Sequence, residues 1–228
     1  MDNPFDSVRT RALLDLDQTL AAPLFDGIDY PWQALSGIRA FILETGPQLS
    51  ADMYDRIGED VWIARSASVA ATACIMGPTI ICAGAEIRHC AYIRGSVIVG
   101  EDAVVGNSTE LKNAVLFNRV QVPHFNYIGD SILGYRAHLG AGAITSNVKS
   151  DKSLLVLHIG DAVIETGLKK FGAIVGDDAE VGCNSVLNPG TILGRRSSVY
   201  PTTMVRGIIP PDSIVKERNV IVSREKHG

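Results

Sequence analysis

A parallel β-helix carrying a helical N-terminal cap is the fold this sequence predicts, on three observations. Glycine is abundant at 22 residues while aromatic residues make up only 6% of the chain, a composition that points to internal repeats. Aliphatic residues then recur every six positions without a gap at Ile63, Val69, Ile75, Ile81, Ile87, Ile93, Val99, Val105 and Leu111. Small residues stand four positions after them, as at Ala67, Ala73, Thr79, Ala85, Ala91 and Ala103. A period of six suits neither a helix, with its 3.6-residue turn, nor simple hairpin alternation. It suits a coil in which each hexad supplies one short strand and one turn. Three hexads then complete a triangular turn, and residues 18 apart stack at one strand spacing, about 4.8 Å.

The elements follow in order. Within residues 1–57, Leu13, Leu14, Leu16, Leu20, Leu24 and Phe25 predict an amphipathic helix that Pro23 or Gly27 ends. Asp29 before Tyr30-Pro31-Trp32 marks a second start, with proline in the first turn. Trp32, Leu35, Ile38 and Ile42 share one face of that helix, and Gly46-Pro47 stops it. These helices are expected to cap the open end of the coil, which otherwise exposes strand edges. The coil itself occupies residues 58–210. Its register slips by one before Leu116, Val122 and Ile128, and again before Leu133 and Leu139. It returns at Val175, Val181, Leu187, Leu193, Val199 and Val205. Between them, residues 153–172 carry two apolar runs around Gly160-Asp161, a hairpin signal expected to project from a corner. The tail, 211–228, leaves the repeat.

Composition sets the class. Net charge is −4 with 46% hydrophobic residues, which argues for a soluble globular chain and against a nucleic-acid coat. No apolar run approaches the roughly 20 residues that span a bilayer. The N-terminus shows no basic region followed by an apolar block, so a cytoplasmic location is expected. Cys74, Cys82, Cys90 and Cys183 form no CxxC pair; reduced packing cysteines are expected, and no metal.

Two positions break the repeat in a chemically useful way. Where a small residue usually follows the inward aliphatic, Arg94 follows Ile93 and Lys112 follows Leu111. Eighteen residues apart, the two stack on one outer face. Two cations about 5 Å apart repel by about 3 kcal/mol at an effective dielectric near 20, which suits a bound anion such as phosphate. The bland alternative is a solvated face relieved by Glu110 and Glu101. Glu110 flanks Leu111 on the same side as Lys112, and the slip brings His124 and Tyr127 near. An imidazole accepts a proton at neutral pH, and a carboxylate orients it.

Three motifs in series then become specific. They are Gly106-Asn107-Ser108-Thr109-Glu110-Leu111-Lys112-Asn113, His124-Phe125-Asn126-Tyr127-Ile128-Gly129-Asp130 and Gly140-Ala141-Gly142-Ala143-Ile144-Thr145-Ser146-Asn147. Over residues 60–210 the chain resembles the hexapeptide-repeat transferases. Within them it resembles the acetyltransferase domain of the bifunctional N-acetylglucosamine-1-phosphate uridylyltransferase/glucosamine-1-phosphate acetyltransferase family. The resemblance implies a left-handed coil, acetyl-CoA as co-substrate without a metal, and a homotrimer with the site between subunits. It implies that His124 is the general base and that Glu110 orients it. Arg94, Lys112 and Tyr127 hold the sugar phosphate, and Ala141 and Asn147 lie near the acyl group and pantetheine. Lys170 and, in the basic tail, Arg218 contact coenzyme A, while Cys183 stands where the family has a cofactor-side serine.

Departures accompany it. His138 replaces a sugar-contacting asparagine, Val148 a tyrosine and Pro201 a small cofactor-side residue, and the excursion before Lys170 is longer than in the family. No uridylyltransferase domain is expected, so uridylyl transfer requires a separate protein. Two alternatives to an amino-sugar phosphate acetyltransferase are an acyltransferase for a nucleotide-linked amino sugar, which His138 points to, and a non-catalytic sugar-nucleotide-binding or assembly module. A third, a zinc lyase similar to γ-class carbonic anhydrases, could use His89, His124 and His138 but lacks that family's close histidine pair.

Overall fold

The computed structural model describes residues 4–217 and 220–223. The chain winds into a β-solenoid of parallel strands with three walls, visited in a fixed order. The first wall holds Val61–Ala64, Thr79–Ile81, Val97–Val99, 114–116, 131–133, Ala173–Val175, Thr191–Leu193 and Ile208–Ile209. The second runs from Ser68–Val69 through Val104–Asn107, Gln121–His124, His138–Leu139 and Glu180–Val181 to Ser213–Val215. The third comprises Cys74–Ile75, Tyr92–Ile93, 110–112, 127–129, Ile144–Thr145, Val186–Leu187 and Met204–Val205. The aliphatic residue of each hexad points inward, and Ile87, Ile93, Leu111, Val122, Ile128 and Leu187 are all at most 1% exposed.

Eighteen-residue stacking holds where the hexads are regular, as for Ile63↔Ile81 and Ile75↔Ile93. It shortens to seventeen at Leu111↔Ile128 and Leu116↔Leu133. Both slips fall at the corner from the third wall to the first, where Glu110–Leu116 and Tyr127–Leu133 turn without ending their strands. A single residue in the left-handed region makes each turn, Asn113 at φ 49° and Asp130 at φ 48°. Short polar side chains tolerate that conformation better than most.

The N-terminal segment differs from the expected cap. Its first half is a succession of short turns, Pro4–Val8, Thr10–Leu13, Leu16–Gln18 and Ala22–Phe25, in place of one amphipathic helix. The second half agrees better: Pro31–Ser36 and Ile38–Thr45 bury Trp32, Leu35, Ile38 and Ile42. The whole segment runs along the first wall as a strap. Phe25 meets Phe117 edge-on at 5.9 Å, Trp32 stacks on Phe171 at 6.0 Å, and Asn118 N–H donates to the Gln18 carbonyl.

The reason is chemical. Outward positions on this wall are also aliphatic, and Ile80, Ile98, Val115, Ile132, Ile174 and Ile192 are fully buried. Covering each gives about 2 kcal/mol, which favours a strap along this wall. That end stays open beside Ile63, Val69 and Ile75, in a recess of about 520 Å³.

Residues 153–172 do contain a hairpin, Val156–Ile159 with Ala162–Glu165. It lies on the first wall and does not project: Leu155 and Leu157 are buried, and a Cβ at Gly190 would come within 2.9 Å of Leu155. The coil also outlasts Pro210. Ser213–Val215 adds a second-wall strand, and Ile221–Ser223 folds back antiparallel on it.

Candidate functional site

The third wall gathers the charged residues. In register, Tyr92 pairs with Glu110 and Glu110 with Tyr127, while Ile93, Leu111 and Ile128 point inward between their flanks. Arg94 and Lys112 therefore occupy successive coils of one outward column, followed by Gly129. Each cation has a carboxylate. Arg94 Nη1 donates to Glu110 Oε1 at 2.7 Å, and Lys112 Nζ lies 3.9 Å from Asp130 Oδ2. The Glu110 hydrogen bond holds the Arg94 guanidinium above its ordinary pKa. Glu110 thus relieves the repulsion, whereas Glu101 sits at the corner between the first and second walls and takes no part. The longer Lys112 contact leaves ammonium donors for an incoming anion.

Tyr127 lies flat against this column. A Cβ on Gly129 would fall 2.5 Å from the Tyr127 hydroxyl, so the ring occupies the space that a side chain there would fill. Burial, reinforced by the Asp130 and Glu110 charges, pushes the Tyr127 phenol pKa up, which keeps its proton available for donation. Asn147 Nδ2 reaches the same hydroxyl at 3.3 Å.

His124 ends the second-wall strand Gln121–His124, opposite Asn107, and is exposed at the corner leading to the third wall. Buried Asn126 pins this turn. Its Oδ1 accepts from the His124 N–H at 3.1 Å, and its Nδ2 donates to the Gly140 carbonyl at 2.8 Å and the Ala143 carbonyl at 3.1 Å. Among the described residues the imidazole makes no hydrogen bond. The expected contact with Glu110 is not formed within one chain, because Arg94 holds that carboxylate.

Ala141 and Cys183 climb the same corner above His124. Gly142 N–H donates to the His124 carbonyl, Asn184 N–H donates to the Ala141 carbonyl, and Cys183 is exposed. Asn147 and Lys170 sit at the opposite corner, from third wall to first. There the Phe171 N–H donates to the Asn147 carbonyl and closes the base of the excursion.

The expected residues therefore divide by place. Arg94, Glu110, Lys112 and Tyr127 share one wall, and His124, Ala141 and Cys183 border it on one side, with Asn147 and Lys170 on the other. His138 stands apart on the second wall, between Gln121 and Glu180. Arg218 lies outside the described residues. His89 and His124 are two coils apart on one corner while His138 occupies another wall, and among the described residues no group of three or more His, Cys, Asp or Glu could hold a metal.

Three contributors escape a reading by hexads: Asn126, Gly129 and Asp130. A signal for the last was present. Asn113, Asp130 and Asn147 recur at seventeen residues, the shortened coil length, and stack as one polar ladder.

Comparison with known proteins bears on the family of the whole chain. A family profile described as the GMPPB C-terminal domain matches residues 75–167. The bifunctional protein GlmU of Methanococcus vannielii is 31% identical over 205 residues, covering 89% of this chain and 49% of that protein. A bifunctional sugar-1-phosphate nucleotidylyltransferase/acetyltransferase of Sulfurisphaera tokodaii is 30% identical over 114 residues, 50% of this chain and 28% of that one. The chain spans about half the length, or less, of these curated relatives. A solved structure of a mutant of AntD, an N-acyltransferase from Bacillus cereus, in complex with dTDP and coenzyme A, is 18% identical. It covers 74% of this chain and 83% of that one at a TM-score of 0.33. By its repeat, its three motifs and its curated relatives, the chain is a GlmU-like hexapeptide acetyltransferase domain.

Proposed function

We propose that the protein is an acetyl-CoA-dependent N-acetyltransferase acting on an amino-sugar phosphate, most simply glucosamine 1-phosphate. The observation that carries this reading is the convergence of Arg94, Lys112 and Tyr127 on one wall beside the exposed His124 corner. A phosphate placed against Arg94 and Lys112 draws on two charge-assisted donors and on the Tyr127 hydroxyl. The sugar amine then lies toward His124. The imidazole takes the amine proton as nitrogen attacks the thioester carbonyl; the C–N bond forms, the C–S bond breaks and the thiolate leaves. Backbone N–H groups of the rigid coil stabilise the oxyanion.

Ala141, Asn147, Lys170, Cys183 and Arg218 contact the acyl donor, contributed from facing subunits, and His138, on the second wall, reads the acceptor sugar from a neighbouring subunit. A homotrimer completes the site: another subunit closes the open groove and excludes water. Uridylyl transfer falls to a separate protein or segment.

The test is a coenzyme A-release screen over amino-sugar phosphates and nucleotide-linked amino sugars. Saturable release with glucosamine 1-phosphate supports the proposal. Release only with nucleotide-linked acceptors moves the substrate class, and none with any acceptor rejects catalysis. A second reading, a non-catalytic sugar-nucleotide-binding module, is favoured by the unpartnered His124 imidazole; it predicts acceptor binding without thiol release.

A further inference from the structure

Asp130 has no role in the chemistry described above, yet it is a buried carboxylate held by three polar side chains of the groove. It is 5% exposed. Its Oδ1 accepts from Asn113 Nδ2 at 2.9 Å, its Oδ2 accepts from Asn147 Nδ2 at 2.5 Å, and the Lys112 ammonium lies 3.9 Å away. Asn113 Nδ2 also reaches the Leu35 carbonyl of the strap at 3.3 Å.

A corner that needs only a left-handed residue would be satisfied by asparagine, as at position 113. A ladder of three asparagines would satisfy itself, each amide donating to the next carbonyl oxygen. Burying a charge there is costly unless donors converge on it. The carboxylate instead makes the ladder converge: both neighbours must turn their NH2 groups toward it, because a carboxylate only accepts. Asn147 spends its two N–H groups on Asp130 and on the Tyr127 hydroxyl. Its Oδ1 is left without a partner among the described residues and is not buried, so it can accept from a ligand.

We infer that Asp130 is a positioning residue that fixes Asn147 with its carbonyl oxygen toward the ligand and tethers Lys112, so that the groove offers an acceptor to a ligand N–H beside a cation for a phosphate. This rests on the proposed function and extends it. The N–H comes from the acceptor's amine or from an amide of the acyl donor, and kinetics separate the two sources. Asp130 also tempers the anion site, because its charge opposes that of a phosphate on Lys112.

The test is Asp130→Asn. The substituted amide can donate to Asn147 and so reverse the Asn147 side chain, and it releases Lys112 from its counter-charge. The expected result is a kcat at least tenfold lower, with KM raised for the substrate that supplies the N–H and unchanged for the other. Inorganic phosphate, titrated calorimetrically, should bind about tenfold more tightly. Loose packing alone weakens every affinity together; that pattern, or unchanged kinetics, overturns the inference. If Asp130→Asn does not fold, the exchange Asp130→Asn/Asn147→Asp restores facing donor and acceptor. It should fold and remain inactive, and full turnover in the exchange variant would refute the positioning role. Should the native protein release no coenzyme A with any acceptor, the catalytic reading fails by itself. The phosphate titration then still decides the tethering: tighter binding by Asp130→Asn supports it, and equal or weaker binding rejects it.

Discussion

Replacing His124 with alanine removes the imidazole proposed as the base. A positioned base contributes roughly 10²–10⁴-fold, so kcat should fall at least a hundredfold while the circular dichroism spectrum stays native, since the imidazole is exposed and makes no hydrogen bond among the described residues. Lys112→Met tests the other end. Removing one charged hydrogen bond costs about 1.5–3 kcal/mol, and KM for the phosphorylated acceptor should rise tenfold or more with less change in kcat. Gly129→Ala brings a methyl to within 2.5 Å of the Tyr127 hydroxyl; the ring must swing away, and activity should drop without global unfolding. At this scale the sequence was partly legible. Six-residue spacing alone placed Arg94 and Lys112 in one column. It did not reveal that Glu110 binds Arg94 in place of His124, because the direction of a flexible carboxylate depends on which cation is nearer across the coil.

Strap, hairpin and corners follow a second logic, that of covering an aliphatic wall. Triplets such as Thr79-Ile80-Ile81, Val97-Ile98-Val99 and Thr191-Ile192-Leu193 are apolar on both faces. They foretold a two-sided wall, but period counting weighs only the inward residue, so the cap was expected at the coil's end. Leu155→Ala or Leu157→Ala should therefore lower stability by about 2–5 kcal/mol and leave the KM values unchanged, because the hairpin covers the first wall and not the groove. Asp177 ties strap to coil: it accepts from the Asp15 and Tyr135 N–H groups and pairs with Arg195 at 3.0 Å. Burial nonetheless pushes its carboxyl up to about 6. A folded-state pKa above the unfolded value favours the neutral acid in the fold. The stabilisation is full below about pH 4 and lost as pH rises through 6. The difference in melting temperature between native protein and Asp177→Asn should therefore shrink from pH 4 to pH 7; a difference that grows over that range contradicts the assignment.

As a whole molecule, the chain presents one wall sealed by its own strap and hairpin and two walls left bare. Tyr92, Ile144 and Met204 are exposed on the third wall, beside the charged column. The proposed homotrimer would pack through these bare walls, so light scattering should return three times the 24.4 kDa chain mass; a monomer would contradict it. None of the described helices is long and apolar enough to cross a membrane. The coil was legible from spacing and its kinship from three motifs. A homotrimer was expected through that kinship alone, because an interface leaves no period of its own in the sequence. Diffraction from crystals grown with glucosamine 1-phosphate and coenzyme A tests the site most directly. The phosphate should bridge Arg94 and Lys112, with the sugar nitrogen within about 3 Å of a His124 ring nitrogen and the thiol adjacent. A sugar phosphate bound on another wall, or a nitrogen out of reach of the imidazole, would contradict the assignment.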